Sequence, residues 1–320
     1  MKTTNIPPYG TSLLLVFLFL VSFPAFSQSP FSKEGEARFY TGISPVILPK
    51  EGIEINVLNN MTSFWLAVNE YNPTSNNVRV ANRYRFSRMQ HLIRVTYGFS
   101  DSGRWDLGVE GQYTHSRIDD RARSSPFTVL TNETTGGNSF RGMSLLGVRL
   151  RVMPFESVPG LTTQLTAHFP INKNETTRVQ LGAQRTQVGL TATYYNNFNS
   201  KTFYFLQGDW RTRLSNSELD VTAHLPSLSG FMVFDAWEQQ FYIFPGLTYA
   251  PTLQQLRSGG ALRKVNQQLL GSIGALYQPV DPFGVMLNFQ VPFILESGST
   301  TTEWVRESYS AFTLGIRVLL

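Results

Sequence analysis

The chain has 320 residues, of which 42% are apolar, 13% aromatic and only 15% charged, with 25 Gly, 17 Pro and no Cys. That composition supports one sizeable closed core and excludes polar disorder, a disulfide framework, thiol chemistry and Cys-ligated metals. The formal charge of +5 is scattered rather than gathered into a run, so nucleic acid is not an expected partner.

At the N-terminus, Lys2 precedes an apolar stretch from Leu13 to Phe23 and the sequence Ala25-Phe26-Ser27 before Gln28. This tripartite layout predicts a signal peptide over residues 1–27, cleaved after Ser27, and hence an exported mature chain. Beyond Phe26 no stretch approaches the roughly 20 apolar residues that a spanning helix needs, so any membrane crossing must be made by strands. Residues 28–52, with Pro and polar side chains, are expected to form a periplasmic tether or a plug, and residues 53–320 a barrel.

From Ile53 onward, apolar residues alternate with polar or small ones in segments of about ten residues, as transmembrane strands require. Ile93, Val95, Tyr97 and Phe99 take one phase against Arg94, Thr96 and Gly98. Past the turn Ser100-Asp101-Ser102-Gly103, Trp105, Leu107 and Val109 oppose Asp106, Gly108 and Glu110. The same pattern returns at Leu146 to Val152, Leu161 to Phe169, Val188 to Tyr194, Val285 to Val291 and Phe312 to Leu320. Twelve strands are predicted, with ten to fourteen compatible with the pattern. The least defined are the first, the eighth around Phe231 to Phe234, and the ninth, where Pro245 removes a ladder donor and suggests a bulge.

Connections alternate in length. Short links are predicted near Ser100 to Gly103, Glu156 to Gly160, Asn196 to Lys201, Trp237 to Gln239 and Val280 to Pro282. Long polar links are predicted near Ile118 to Ser139, Asn172 to Gly182, Leu214 to Pro226, Pro251 to Asn266 and Glu296 to Glu307. Short periplasmic turns and long outer loops are a feature of outer-membrane barrels. Phe99, Trp105, Phe155, Tyr194, Tyr204, Trp237, Tyr277 and Phe283 all lie beside the short links, where an interfacial aromatic girdle belongs. A soluble β-sandwich would also show alternation.

The polar phase decides between them. It carries Arg94, Glu110, Arg149, Arg151, Asp209, Arg211 and Arg317 in mid-segment, where a soluble barrel would need packing side chains. An antiparallel transmembrane β-barrel is therefore predicted, apolar phase to lipid and polar phase to the lumen. Gln164, His168, Gln187, Asn288 and Gln290 join the charged residues as lumen-facing. The seven mid-strand charges hold three more positives than negatives, which favours anionic solutes if the pore is open. The same residues could instead form a plug of salt bridges. Arg83, Arg85 and Arg88 fall at the outer end of the second strand, suited to anionic headgroups or to water.

The stretch TYGFSDSGRWDLGVEGQY, Thr96 to Tyr113, resembles a hairpin of the outer-membrane transporter family of the phenol-degradation meta-pathway. Arg141 to Ile171, with Gly147-Val148-Arg149-Leu150 and Phe169-Pro170, is similar to that family's next hairpin. The resemblance implies a Gram-negative outer-membrane barrel, of Bacteroidetes type by its Ser-Gln junction and Asn-rich loops, and passive uptake of small apolar or aromatic compounds. The chain departs from many such barrels in ending Val318-Leu319-Leu320 without a terminal aromatic residue.

No catalytic residue is assigned and no enzyme is expected. His115 and Ser116 point to opposite faces, Ser87 and His91 share a phase four positions apart, and His224 falls in a predicted link. His168 is expected to hydrogen-bond a neighbouring side chain. Asp101, Asp106, Asp119 and Asp120 read as turn or loop carboxylates, with no metal set and no cofactor. The expected function is an outer-membrane channel or transporter-like barrel for small apolar, aromatic or anionic solutes, with lipid, the barrel-assembly machinery and a small-molecule solute as partners. The alternative is a non-conducting structural barrel of an envelope assembly.

Overall fold

The computed structural model describes residues 47–72, 77–119, 125–130, 137–215, 221–256, 260–280, 282–297 and 302–320. The signal peptide and most of the 28–52 segment lie outside the described residues. Alternation along the chain becomes twelve strands: β1 (Ile53–Asn72), β2 (Asn77–Gly98), β3 (Trp105–Asp119), β4 (Gly137–Val152), β5 (Leu161–Pro170), β6 (Gln187–Asn199), β7 (Thr202–Arg213), β8 (Val221–Trp237), β9 (Phe241–Leu256), β10 (Arg263–Val280), β11 (Phe283–Ser297) and β12 (Thr302–Leu319). A short 3-10 helix (Pro126–Leu130) and one α-helix, α1 (Glu175–Leu181), interrupt the meander.

Each strand pairs antiparallel with its sequence neighbours, and β1 pairs with β12, so the sheet closes on itself. At the seam, the Ile53 amide donates to Leu320 O at 3.0 Å and the Leu320 amide to Ile53 O at 2.9 Å. Closure leaves no sheet edge, the condition a strand-built membrane span must meet.

The apolar phase faces out. Ile93, Val95, Leu107, Val109, Val148, Leu165, Leu190, Ile273, Leu287 and Phe289 are all exposed large hydrophobics on the outer wall. Trp105, Phe155, Trp237, Tyr277 and Phe283 are exposed around the short-turn end, with Phe99 packed edge-on against Trp105 and Tyr194 against Tyr204.

Several expectations change. β8 begins at Val221 and β9 runs to Leu256, inside stretches predicted as links, because backbone pairing continues where side-chain polarity hides it. His224 is thus a strand residue, its Nδ1 3.1 Å from Thr212 Oγ1 and its ring against Trp210. Pro245 makes no bulge: β8 and β9 keep one register from Phe231↔Gly246 to Phe234↔Ile243 and skip the pairs between. Pairing lapses again between His224↔Leu253 and Leu228↔Tyr249, the stretch that holds Pro226 and Pro251, neither with an N–H to donate.

The predicted link Asn172 to Gly182 contains α1. Asn174 caps it by accepting from the Thr177 amide at 2.9 Å, and Gly182 ends it at φ 68°. Leu181 is buried and α1 packs on β3 and β4. The 3-10 helix lies on the opposite, outer side of β2 and β3. There Arg117 pairs with Asp119 at 2.5 Å and donates to Thr128 O at 3.2 Å. Asp119 is therefore a strand carboxylate rather than a loop one, while Asp120 is outside the described residues. Arg85 shares that outer face, donating to Ser63 Oγ at 3.2 Å, whereas Arg88 points inward; the side chain of Arg83 is outside the described residues.

Gly274 sits directly across from Phe244, whose ring occupies the space a Cβ would need. Gly274→Val is expected to lower barrel stability by about 1–3 kcal/mol through overpacking, measured as the midpoint of heat-modifiable migration on SDS gels. The Phe244→Ala background should relieve most of that loss.

Candidate functional site: the lumen

Strand phase and register bring the charges of β1 to β4 and β12, with His168 of β5, to one place near the short-turn end. Glu54 on β1 lies beside Thr96 of β2 and Leu319 of β12, and Asp106 of β3 faces Arg151 of β4. Arg151 grips Asp106 bidentately, Nε to Oδ1 at 2.9 Å and Nη2 to Oδ2 at 2.7 Å. Arg317 reaches Glu54 with Nη2 at 3.0 Å, while Arg149 and Arg151 stand 3.6 and 3.8 Å from its other oxygen. Glu110 stands 3.0 Å from Arg94 and 3.7 Å from Arg149 as ion pairs, and its other oxygen is hydrogen-bonded with His168 Nε2 at 2.8 Å. Arg149 also donates to Thr96 Oγ1, and Asn56 to Glu54 at 2.7 Å.

Glu54, Asp106, Glu110, Arg149, Arg151 and Arg317 are all under 5% exposed. Charges this deep persist only when paired and hydrogen-bonded. Four arginines meet three carboxylates here, so the expected positive excess is reduced to one at this depth. Two carboxylates were not among the expected lumen charges. Asp106, set on the polar phase with Glu110 but also read as a turn or loop carboxylate, is the second residue of β3 and fully buried. Glu54 sits at the start of the poorly defined first strand.

The chain just before β1 packs at the same end. Ile47 and Leu48 are 5% and 2% exposed, the Leu48 amide donates to Asp106 Oδ2 at 3.0 Å, and the Glu51 amide to Gly98 O at 2.6 Å. Pro49 O passes so close to Gly98 that no Cβ fits there.

The opposite wall departs from a polar lining. Phe203, Phe205, Val233, Tyr242, Phe244 and Leu276 form a buried apolar cluster on the lumen phase of β7 to β10. These residues alternate with outward apolar ones such as Ile243, so the strands are apolar on both faces and the period-two signal vanishes. The lumen at this depth is lined by rings on one side and by ion pairs on the other.

The remaining candidates are spread around and above this layer. Gln164 pairs with Arg151 across the β4 and β5 ladder, and Gln187 with His168 and Arg213. Asn288 and Gln290 share the inward phase of β11 with Gly274 and Ser272 of β10. Asp209 and Arg211, 4.0 Å apart, line a cavity of about 230 Å³ with Leu225, Pro226, Ser227, Pro251 and Gln268, at the lapse in the β8 and β9 ladder. His115 and His91 rings lie 5.5 Å apart on the outer face, and His91 Nδ1 meets Asn59 Oδ1 at 2.6 Å; Ser87 bonds Ser63 instead.

No family model and no curated protein matches the chain. Among solved structures it is similar to an outer membrane channel from Pseudomonas putida F1, at 14% identity over 88% of this chain and 98% of that one, with a TM-score of 0.57. It is also similar to the β domain of the Bordetella autotransporter BrkA, at 13% identity over 84% and 99% with a TM-score of 0.49. The CymD monoaromatic hydrocarbon channel aligns at 9% identity over 85% and 88%, with a TM-score of 0.43. The first of these likenesses, at 14% identity, is one of fold, and with the outward apolar wall it makes this chain a twelve-stranded barrel of the outer-membrane type.

Proposed function

We propose that the exported chain works in the outer membrane as a gated channel for small solutes, delivered there by the barrel-assembly machinery and with no enzymatic activity of its own. The observation that carries this reading is the identity of the stopper. The short-turn end is sealed in part by residues 47–52, a segment outside the ladder held by a few backbone bonds and by Leu48 on Asp106. Such a segment can leave without breaking the wall. The meta-pathway family resemblance and the aromatic lumen cluster both support apolar or aromatic compounds as cargo.

The competing reading, a closed structural barrel, draws on the buried ion pairs, which fill space as a plug would. Gly98→Val separates the two, because its side chain displaces Pro49 and Leu48 from the mouth. In planar bilayers the variant is expected to conduct at least about threefold more than the wild type. A folded variant as silent as the wild type, with no solute flux into liposomes, would establish the closed barrel instead.

A further inference from the structure

The outer half of the lumen gathers arginines without matching carboxylates among the described residues. Arg213, at the end of β7, pairs across the ladders with Gln187 of β6 and Ala223 of β8. Arg185, two residues before Gln187, reaches over the end of β7 to donate to Val221 O at the start of β8, which sets its guanidinium above Arg213. Arg88 arrives from β2: its Nη2 donates to Gln180 O at 3.4 Å, and its Nη1 lies 2.8 Å from where a Cβ of Gly182 would be. That places it beneath α1.

Arg211, Arg88 and Arg185 all act on Arg213 as like charges. Arg211 has Asp209 at 4.0 Å, and the other Asp209 oxygen already accepts from Thr191 at 2.5 Å. The Nε atoms of Arg88 and Arg213 are both buried with no hydrogen-bond partner. Like charges held together and buried N–H groups without acceptors each cost free energy, and one bound anion relieves both. Beside the arginines runs an aromatic strip. Phe86 lies under Arg88, 5.0 Å from its guanidinium carbon to the ring centre; Phe64 is 5.2 Å from Phe86, and Tyr309 6.3 Å from Phe64.

We propose that Arg88, Arg213 and Arg185 form a binding site for the carboxylate of a small aromatic acid, whose ring lies along Phe86, Phe64 and Tyr309. The planar fork of a guanidinium suits a carboxylate, and the strip gives an apolar body a surface that a bare inorganic anion would leave unused. The site rests on the reading of the lumen as a solute route and names the class of solute.

Titration calorimetry on the purified full-length protein in nonionic micelles tests it with benzoate, its neutral analogue benzyl alcohol, and inorganic phosphate. Benzoate is expected to bind at least about tenfold more tightly than either. Arg213→Gln should weaken benzoate about tenfold and leave benzyl alcohol unchanged, with Arg213→Lys between Gln and wild type. Equal binding of benzoate and benzyl alcohol, tighter binding of phosphate, or an Arg213→Gln variant that matches wild type overturns the site. The wild-type comparison stands even where a variant does not fold. Failure of the channel reading looks different: saturable benzoate binding with no flux through wild type or Gly98→Val keeps the site and removes the route. Flux without saturable binding does the reverse.

Discussion

Glu54→Gln is expected to cost about 3–5 kcal/mol of barrel stability in micelles, the usual penalty for stripping one partner from a buried ionic network. The substitution keeps the shape and removes one charge. It leaves Arg94, Arg149, Arg151 and Arg317 against Asp106 and Glu110 alone, in a layer where Arg317 has its 3.0 Å contact with Glu54 and both partners are nearly inaccessible. Urea unfolding followed by tryptophan fluorescence reads the loss. Adding Arg317→Met should recover part of it, because the two residues share one interaction and their effects are not additive. A loss under about 1 kcal/mol would mean that water screens this layer as it screens a surface pair.

Leu287→Arg tests the other half of the architecture, the outward direction of the apolar phase. Leu287 is 52% exposed on β11, between Val285 and Phe289, and reads as lipid-facing near mid-depth. An arginine there is expected to cost about 2–4 kcal/mol in lipid vesicles, falling toward 1 kcal/mol or less at the interfaces. The comparison is Phe283→Arg, at the short-turn end of the same strand. Equal penalties at the two depths, or none at either, would contradict the outward wall as a membrane-spanning belt.

The strand count and the outward phase could be read from the sequence, because lipid on one side and a charged lumen on the other impose period two on β2 to β6 and on β11, whereas three of the long links were read too long, since β8, β9, β10 and β12 run into them. The pattern fades in β7 to β10. There Phe203, Phe205, Tyr242 and Phe244 turn inward to pack on one another, and apolarity on both faces erases alternation. Pairings stayed hidden for a different reason. Asp106 and Arg151 are 45 residues apart, and joining them needs the register of the whole β3 and β4 hairpin, including its shift between Gln112 and Tyr113. Proximity to a turn made Asp106 resemble a loop residue. Helix α1 was missed although Asn174 and Gly182, a capping residue and an αL stop, bracket it in the sequence. The arginine site draws on Arg88, Arg185 and Arg213 from three strands or their approaches, and no local pattern joins them.

The bond between Glu54 and Arg317 spans 263 positions and ties the first strand to the last. Its carboxylate therefore has no full set of counter-charges until the final hairpin docks. A nascent sheet still open between these strands carries stranded guanidinium groups toward its centre, which makes zipping the last ladder and neutralising the interior a single cooperative event. Such long-range closure is slow on the folding timescale, and an unsealed intermediate would be the species most in need of a chaperone.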